Sequence, residues 1–226
     1  MSTANSITIK QLKTNLGQLS KTSKMPAYSW GIPVDVCQTG DKLRHIPEST
    51  CGGCYATKGA YAWSNTQRAY QRRLDIYLND RKQWVKNMIQ FLNRNKDDSF
   101  RWFDSGDLLD RQHLQDIATV ASNTTQAHWL PTKEYRKIKG FSQKPKNLTV
   151  RASAPFKDSV LKSERYPINS TTLTSKAYDQ KQIDGVFYCP ASQQDGQCLD
   201  CRACWDSSIT TVAYKYHGPK LYDISR

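Results

Sequence analysis

SFRWFDSGDLLDRQHLQDIATVASNTTQAHWLPTKE, residues 99–134, holds the unit from which the fold is read. Its first nine residues alternate aromatic and polar groups and end on a glycine turn, the pattern of a short strand. In the next sixteen residues Leu114, Ile117, Ala118 and Ala121 fall three and four apart, one face of an amphipathic helix, with Asp110 placed to cap it. His113 falls on the polar side of that helix, where solvent is expected. AHWLPT (127–132) is a strand again, with His128 packed or hydrogen-bonded inside it. Strand, helix, strand in so short a span is a βαβ crossover, which makes the two strands parallel.

The alternation continues in both directions. KEYRKIKG (133–140) is a short helix closed by Gly140. NLTVRASAP (147–155), INSTTLTS (168–175), GVFYCPA (185–191) and ITTVAYKYH (209–217) are further strands. Upstream, Tyr70, Leu74 and Tyr77, then Trp84, Met88 and Leu92, repeat at helical steps with a break near Asn79–Asp80. Residues 1–24 are polar and form an N-terminal arm or covering element, leaving residues 25–226 as one domain. Five or six units in about 190 residues are too few for a complete eight-fold barrel, which takes about 250. The expected class is therefore α/β: a partial (β/α) barrel with a mainly parallel sheet and a cysteine-rich C-terminal loop. Asp104 to Asp107, Thr132–Lys133, Ser153 and Cys189 all follow strand C-termini, so they share one face of the sheet.

Cysteine supplies the chemistry. Cys189, Cys198, Cys201 and Cys204 are spaced C-x8-C-x2-C-x2-C, a concentration of soft thiolate ligands that suits an iron–sulfur cluster or zinc. Zinc sites usually pair two separated C-x2-C knuckles, whereas consecutive C-x2-C-x2-C steps are similar to the ferredoxin run around a 4Fe–4S cluster. Cys51 and Cys54 form another C-x2-C, with Gly52 and Gly53 allowing a tight turn, and Cys37 lies upstream. These three are either a three-thiolate site, the partners of the C-terminal set, or, for Cys37, a buried free thiol. The four histidines are scattered, with His217 the one considered as an extra ligand or proton shuttle. Seven cysteines in a chain without a signal peptide's apolar stretch favour ligation over disulfides, and a cytoplasmic location.

The 226 residues carry a formal net charge of +13 with 38% hydrophobic residues. No run approaches the ~18 apolar residues of a membrane span. The positive excess points to a polyanionic partner, nucleic acid above all, through release of counterions from phosphates. It is concentrated in residues 68–86 and 133–151.

CGGCYATKGAY, FRWFDSGDLLD, HWLPTKEY, NLTVRASAP and the C-terminal cysteine run, in that order, resemble the bacteriophage gene product 88 family from about residue 23 to 217. The resemblance implies a phage-encoded protein working in the host cytoplasm, where the positive charge points to nucleic acid as partner, with a host protein as the alternative. More distantly, the order of segments is similar to the radical S-adenosylmethionine enzymes, partial barrels with three cysteines around a 4Fe–4S cluster. That likeness implicates Gly106, Asp107, Thr132 and Ser153 in holding S-adenosylmethionine, and Asp107 and Lys133 in catalysis. Those enzymes' C-x3-C-x2-C run is replaced here by Cys51 and Cys54 with Tyr55, so a third ligand has to come from Cys37 or the C-terminal loop. The rival implication is a non-enzymatic, metal-clamped binding protein.

Overall fold

In the computed structural model, which describes residues 7–21, 24–161 and 164–216, seven strands form one open sheet. They are β1 (Tyr28–Trp30), β2 (Ser99–Trp102), β3 (Ala127–Thr132), β4 (Leu148–Ser153), β5 (Asn169–Leu173), β6 (Phe187–Tyr188) and β7 (Thr211–Lys215). Their order is β1-β2-β3-β4-β5-β7-β6 and every pairing is parallel. This is the expected α/β class, a parallel sheet that does not close. Two details depart from the sequence reading. The three-residue β1 is too short to leave a pattern, and β6, expected as a long strand, pairs through two residues at the sheet edge.

The period-two alternation of strands separates two faces. Phe100, Trp102, Leu130 and Leu148 turn to one side and join the main hydrophobic core. The helices α1 (Ile9–Asn15), α3 (Ser64–Asn79), α4 (Arg81–Arg94) and α5 (Arg111–Ser122) cover that side. Arg101, Trp129 and Arg151, on the same strands, turn to the other side. There Trp129 packs with Trp205, Val212 and Tyr214 under the cysteine-rich loop.

Local chemistry explains the helices. The α3–α4 break falls at Asp80, whose carboxylate accepts from the Gln83 amide at 2.9 Å and so starts α4. Asp110 caps α5 by accepting from the His113 amide at 2.7 Å, and Arg81 holds the same carboxylate at 2.8 Å. Leu12 of α1 and Leu16 just after it are fully buried in the main core, and Arg73 donates to Gln18 O at 2.8 Å to pin the segment that follows.

His113 corrects the expectation of a solvent-facing side chain. It is fully buried against Trp30, Tyr77 and Phe103, because α5 packs on α4 with a wider apolar face than its aliphatic residues alone mark. Burial lowers its pKa to about 3, so the ring is neutral. His128 is packed as expected, with Nε2 2.9 Å from Thr124 Oγ1, and is also lowered to about 3 by burial. Among the described residues no helix is long and apolar enough to cross a membrane.

Candidate functional site

The loops that follow the strands enclose a cleft of about 440 Å³ at the C-terminal end of the sheet. Residues far apart in sequence meet there because parallel strands deliver all their C-termini to one edge. Cys37, Cys51, Cys54 and Cys189 line it, as do Gly106, Asp107, Thr132, Lys133 and Ser153. Cys198, Cys201 and Cys204 do not.

Asp107 ties the first crossover to the second. Its carboxylate accepts from Thr132 Oγ1 at 2.6 Å, the Lys133 amide at 2.9 Å and the Leu108 amide at 2.7 Å. It therefore caps no helix, and three of its roughly four lone-pair sites are taken. Burial raises its pKa to about 6, against the three donors, which favour the charged form. Gly106 has φ +77°, and a Cβ there would lie 2.7 Å from Ile32 O, so this turn takes no other residue without strain. Ser153 Oγ accepts from Ser170 Oγ at 3.3 Å.

Glu134, which the sequence reading passed over, fixes the segment bearing Cys37. It accepts from the Thr39 amide at 2.8 Å, in the first turn of α2 (Gln38–Arg44), and from Lys137 at 3.0 Å. Its carboxylate is well placed there against the helix N-terminus. The Cys51 turn is fastened to the end of β4 through the Thr50 amide on Pro155 O at 2.9 Å and by a bridge between Ser49 and Phe156. Gly40 lies between the two segments. A Cβ on it would stand 3.8 Å from the Cys37 sulfur and 3.7 Å from the Cys51 sulfur, so a side chain would fill the space the thiols share. Burial raises the thiol pKa of Cys37 first, with Asp107, Cys54 and Cys51 adding to it. Cys51 is also raised by burial, with Lys133 opposing.

The other four thiols form a second neighbourhood. Cys189 senses Cys198 and Cys201, and Cys204 senses Cys189 and Cys198. Burial pushes the Cys204 thiol up to about 12. The loop carrying them is held by Arg151, fully buried in the middle of β4. Its guanidinium donates to Ala203 O at 3.1 Å, Asp206 O at 2.9 Å, Ile209 O at 3.0 Å and Asn169 O at 2.9 Å. Trp205 Nε1 reaches across the sheet to Phe100 O at 2.9 Å.

All seven cysteines are free thiols. Among the described residues no three His, Cys, Asp or Glu side chains are gathered tightly enough to hold a single metal ion. Both thiol groups are thus neighbourhoods rather than closed single-ion cages, though their soft donors and the Gly40 gap fit a thiolate-bound centre. His217, the extra ligand considered, lies outside the described residues.

The two positive segments mix exposed cations with paired or buried ones; in 68–86, Arg68, Arg72, Lys82 and Lys86 are exposed. Lys137 is paired with Glu134, Arg81 with Asp110, and Arg73 and Arg151 are buried structural cations. Arg136, Lys139 and Lys146 are the cations of 133–151 that remain exposed.

No curated protein and no solved structure is significantly similar to the chain, so these comparisons lend nothing to the likeness to radical S-adenosylmethionine enzymes. One family model does match, that of Gene product 88, over residues 4–207; the chain belongs to that family.

Proposed function

We propose that this is an iron–sulfur protein, with a cluster bound by Cys37, Cys51 and Cys54 at the rim of the cleft. The observation that carries the reading is the sorting of seven free thiols into a group of three and a group of four. The three all line the cleft, whereas of the four Cys189 alone lines it, and Cys201 and Cys204 pack in the layer with Trp129 and Trp205. A 4Fe–4S cluster with three protein thiolates leaves one iron for an outside ligand. S-adenosylmethionine is our candidate, beside Gly106, Asp107, Thr132 and Ser153, and Lys133 would be the cation nearest the thiols. Asp107 keeps one acceptor site for a cationic group of that ligand. The four-thiol group has the character of a structural clamp, which a second cluster or zinc would satisfy equally.

Anaerobic purification with iron, sulfide and zinc quantitation tests this. The wild type is expected to contain iron and acid-labile sulfide. The Cys51→Ser/Cys54→Ser variant should lose the increment belonging to the cleft, together with any response of the reduced cluster's paramagnetic signal to S-adenosylmethionine. Cys201→Ser should instead lose metal and solubility together, because binding there is coupled to folding. Stoichiometric zinc without iron or sulfide, after growth with ample iron, would reject the cluster. It would favour the second reading, a metal-clamped binding protein, which the half-buried Cys198 and Cys201 beside the buried Cys204 support on their own. In either reading nucleic acid is the proposed polyanionic partner, through Arg136, Lys139 and Lys146.

A further inference from the structure

The wall of the cleft formed by β2 and β3 carries a cation that makes no ion pair among the described residues. Arg101 is the central residue of β2 on the cleft face and sits opposite Trp129 of β3 in register. Its guanidinium lies over the Trp129 ring at 4.9 Å, which holds it flat against the wall. The acceptors it has are neutral and weak for a cation: Tyr55 Oη at 3.0 Å, the Met25 sulfur at 3.2 Å and Phe103 O at 3.5 Å. Its Nε is buried with no partner. The nearby Asp104 carboxylate contributes to its field without bonding it: Oδ2 accepts from Tyr70 Oη at 2.8 Å, and Oδ1 is buried without a hydrogen-bond partner.

Two more polar groups lining the cleft, Trp129 Nε1 and Ser105 Oγ, are also buried and without partners. Lys133 enters the same cleft from the end of β3 and makes no ion pair among the described residues. The carboxylate lining the cleft, Asp107, is occupied by three protein donors. Buried donors without partners and a cation without an anion are costly unless something supplies acceptors. At about 440 Å³ the cleft is in the range of small-molecule sites.

We propose that this wall is an oxyanion subsite, in which Arg101 and Lys133 bind the phosphate or carboxylate group of a small molecule lying across the cleft. The subsite is built from residues other than the thiols and stands whatever metal they hold.

The test is titration of the full-length protein with phenyl phosphate and with benzoate, both weak metal ligands, followed by ligand-observed NMR. Saturable binding of at least one is expected, and the tighter of the two identifies the class of oxyanion. Arg101→Met and Lys133→Met should each weaken it about ten-fold or more, whereas Lys82→Met, on the exposed face of α4, should not. If Arg101→Met alters the circular dichroism spectrum, Lys133→Met carries the test, since no hydrogen bond of the fold uses its ammonium. Absence of saturable binding of both probes would overturn the proposal. So would a Lys82→Met effect as large as those of the two cleft variants, because binding would then follow net charge alone.

Discussion

Replacing Arg151 by methionine keeps the length of the side chain and removes every donor it offers to the cysteine loop. Six carbonyl oxygens lie within 3.5 Å of the guanidinium: those of Asn169, Ala203, Cys204, Asp206, Ile209 and Thr210. Thr210 O retains the Asn169 amide at 2.8 Å, and Asp206 is exposed enough for water to replace its lost donor. The remaining acceptors lose a charged donor, at roughly 1 kcal/mol or more apiece. Removing a buried cation recovers desolvation energy, which is why exchanging buried charges for apolar groups is often neutral. Here the acceptors remain behind in the packed layer, so the loss outweighs the gain, by roughly 3 to 5 kcal/mol in all. For a domain of this size that lowers the melting temperature by about 10 °C. Thermal unfolding followed by circular dichroism reads the global effect, and limited proteolysis of residues 198–210 reads the local one. A variant that melts within about 2 °C of wild type and resists protease equally would show that Arg151 does not hold the loop.

Acid should destabilise the fold more than its carboxylates alone require. His113 and His128, held near pKa 3 when folded, take up protons at about 6.5 once unfolded, so stability falls as pH drops through 6.5 and stops falling near 3. Asp107, raised to about 6, acts in the opposite sense: folded, it keeps its proton to a higher pH than unfolded, which offsets one histidine between about pH 4 and 6. The net loss from pH 7 to pH 5 is roughly 2 to 3 kcal/mol. Urea unfolding at the two pH values checks it; equal stabilities would show that the two rings are not held neutral. For nucleic acid, changing Arg136, Lys139 and Lys146 together to glutamine should reduce the salt slope of binding by up to about three. Lys137→Gln should leave that slope unchanged, because its ammonium is already paired with Glu134. No affinity for DNA or RNA at low salt would remove the polyanion reading.

The parallel sheet was readable because its evidence is repetitive. Each helix announces itself several times over, as in Leu114, Ile117, Ala118 and Ala121, and the crossovers then dictate strand direction. The same rule put Asp107, Thr132, Lys133, Ser153 and Cys189 around one cleft without any knowledge of side-chain positions. Direction of a single side chain is a different matter. His113 occupies a position that periodicity assigns to solvent, and only the aromatic neighbours brought by α3, α4 and β1 close over it. β1 itself is three residues long and leaves no pattern at all.

The arginines are the instructive omission. Arg101 and Arg151 each interrupt an otherwise apolar strand, FRW and TVRA, in a sheet read as covered by helices. Counted as charge, Arg151 merges into the basic segment 133–151 and Arg101 adds only to the net total. A cation in the middle of a strand with neighbouring strands on both sides cannot escape along its own backbone to solvent, so it needs a partner on the face to which it points. In Arg151 that partner is a ring of loop carbonyls, and the requirement is met within the chain. In Arg101, which lines the cleft, it is met among the described residues by a phenol, a thioether, one carbonyl and the face of Trp129. The same physical demand, applied to two strands of one sheet, thus separates a residue that organises the cysteine loop from one that faces the cleft without an ion pair among the described residues.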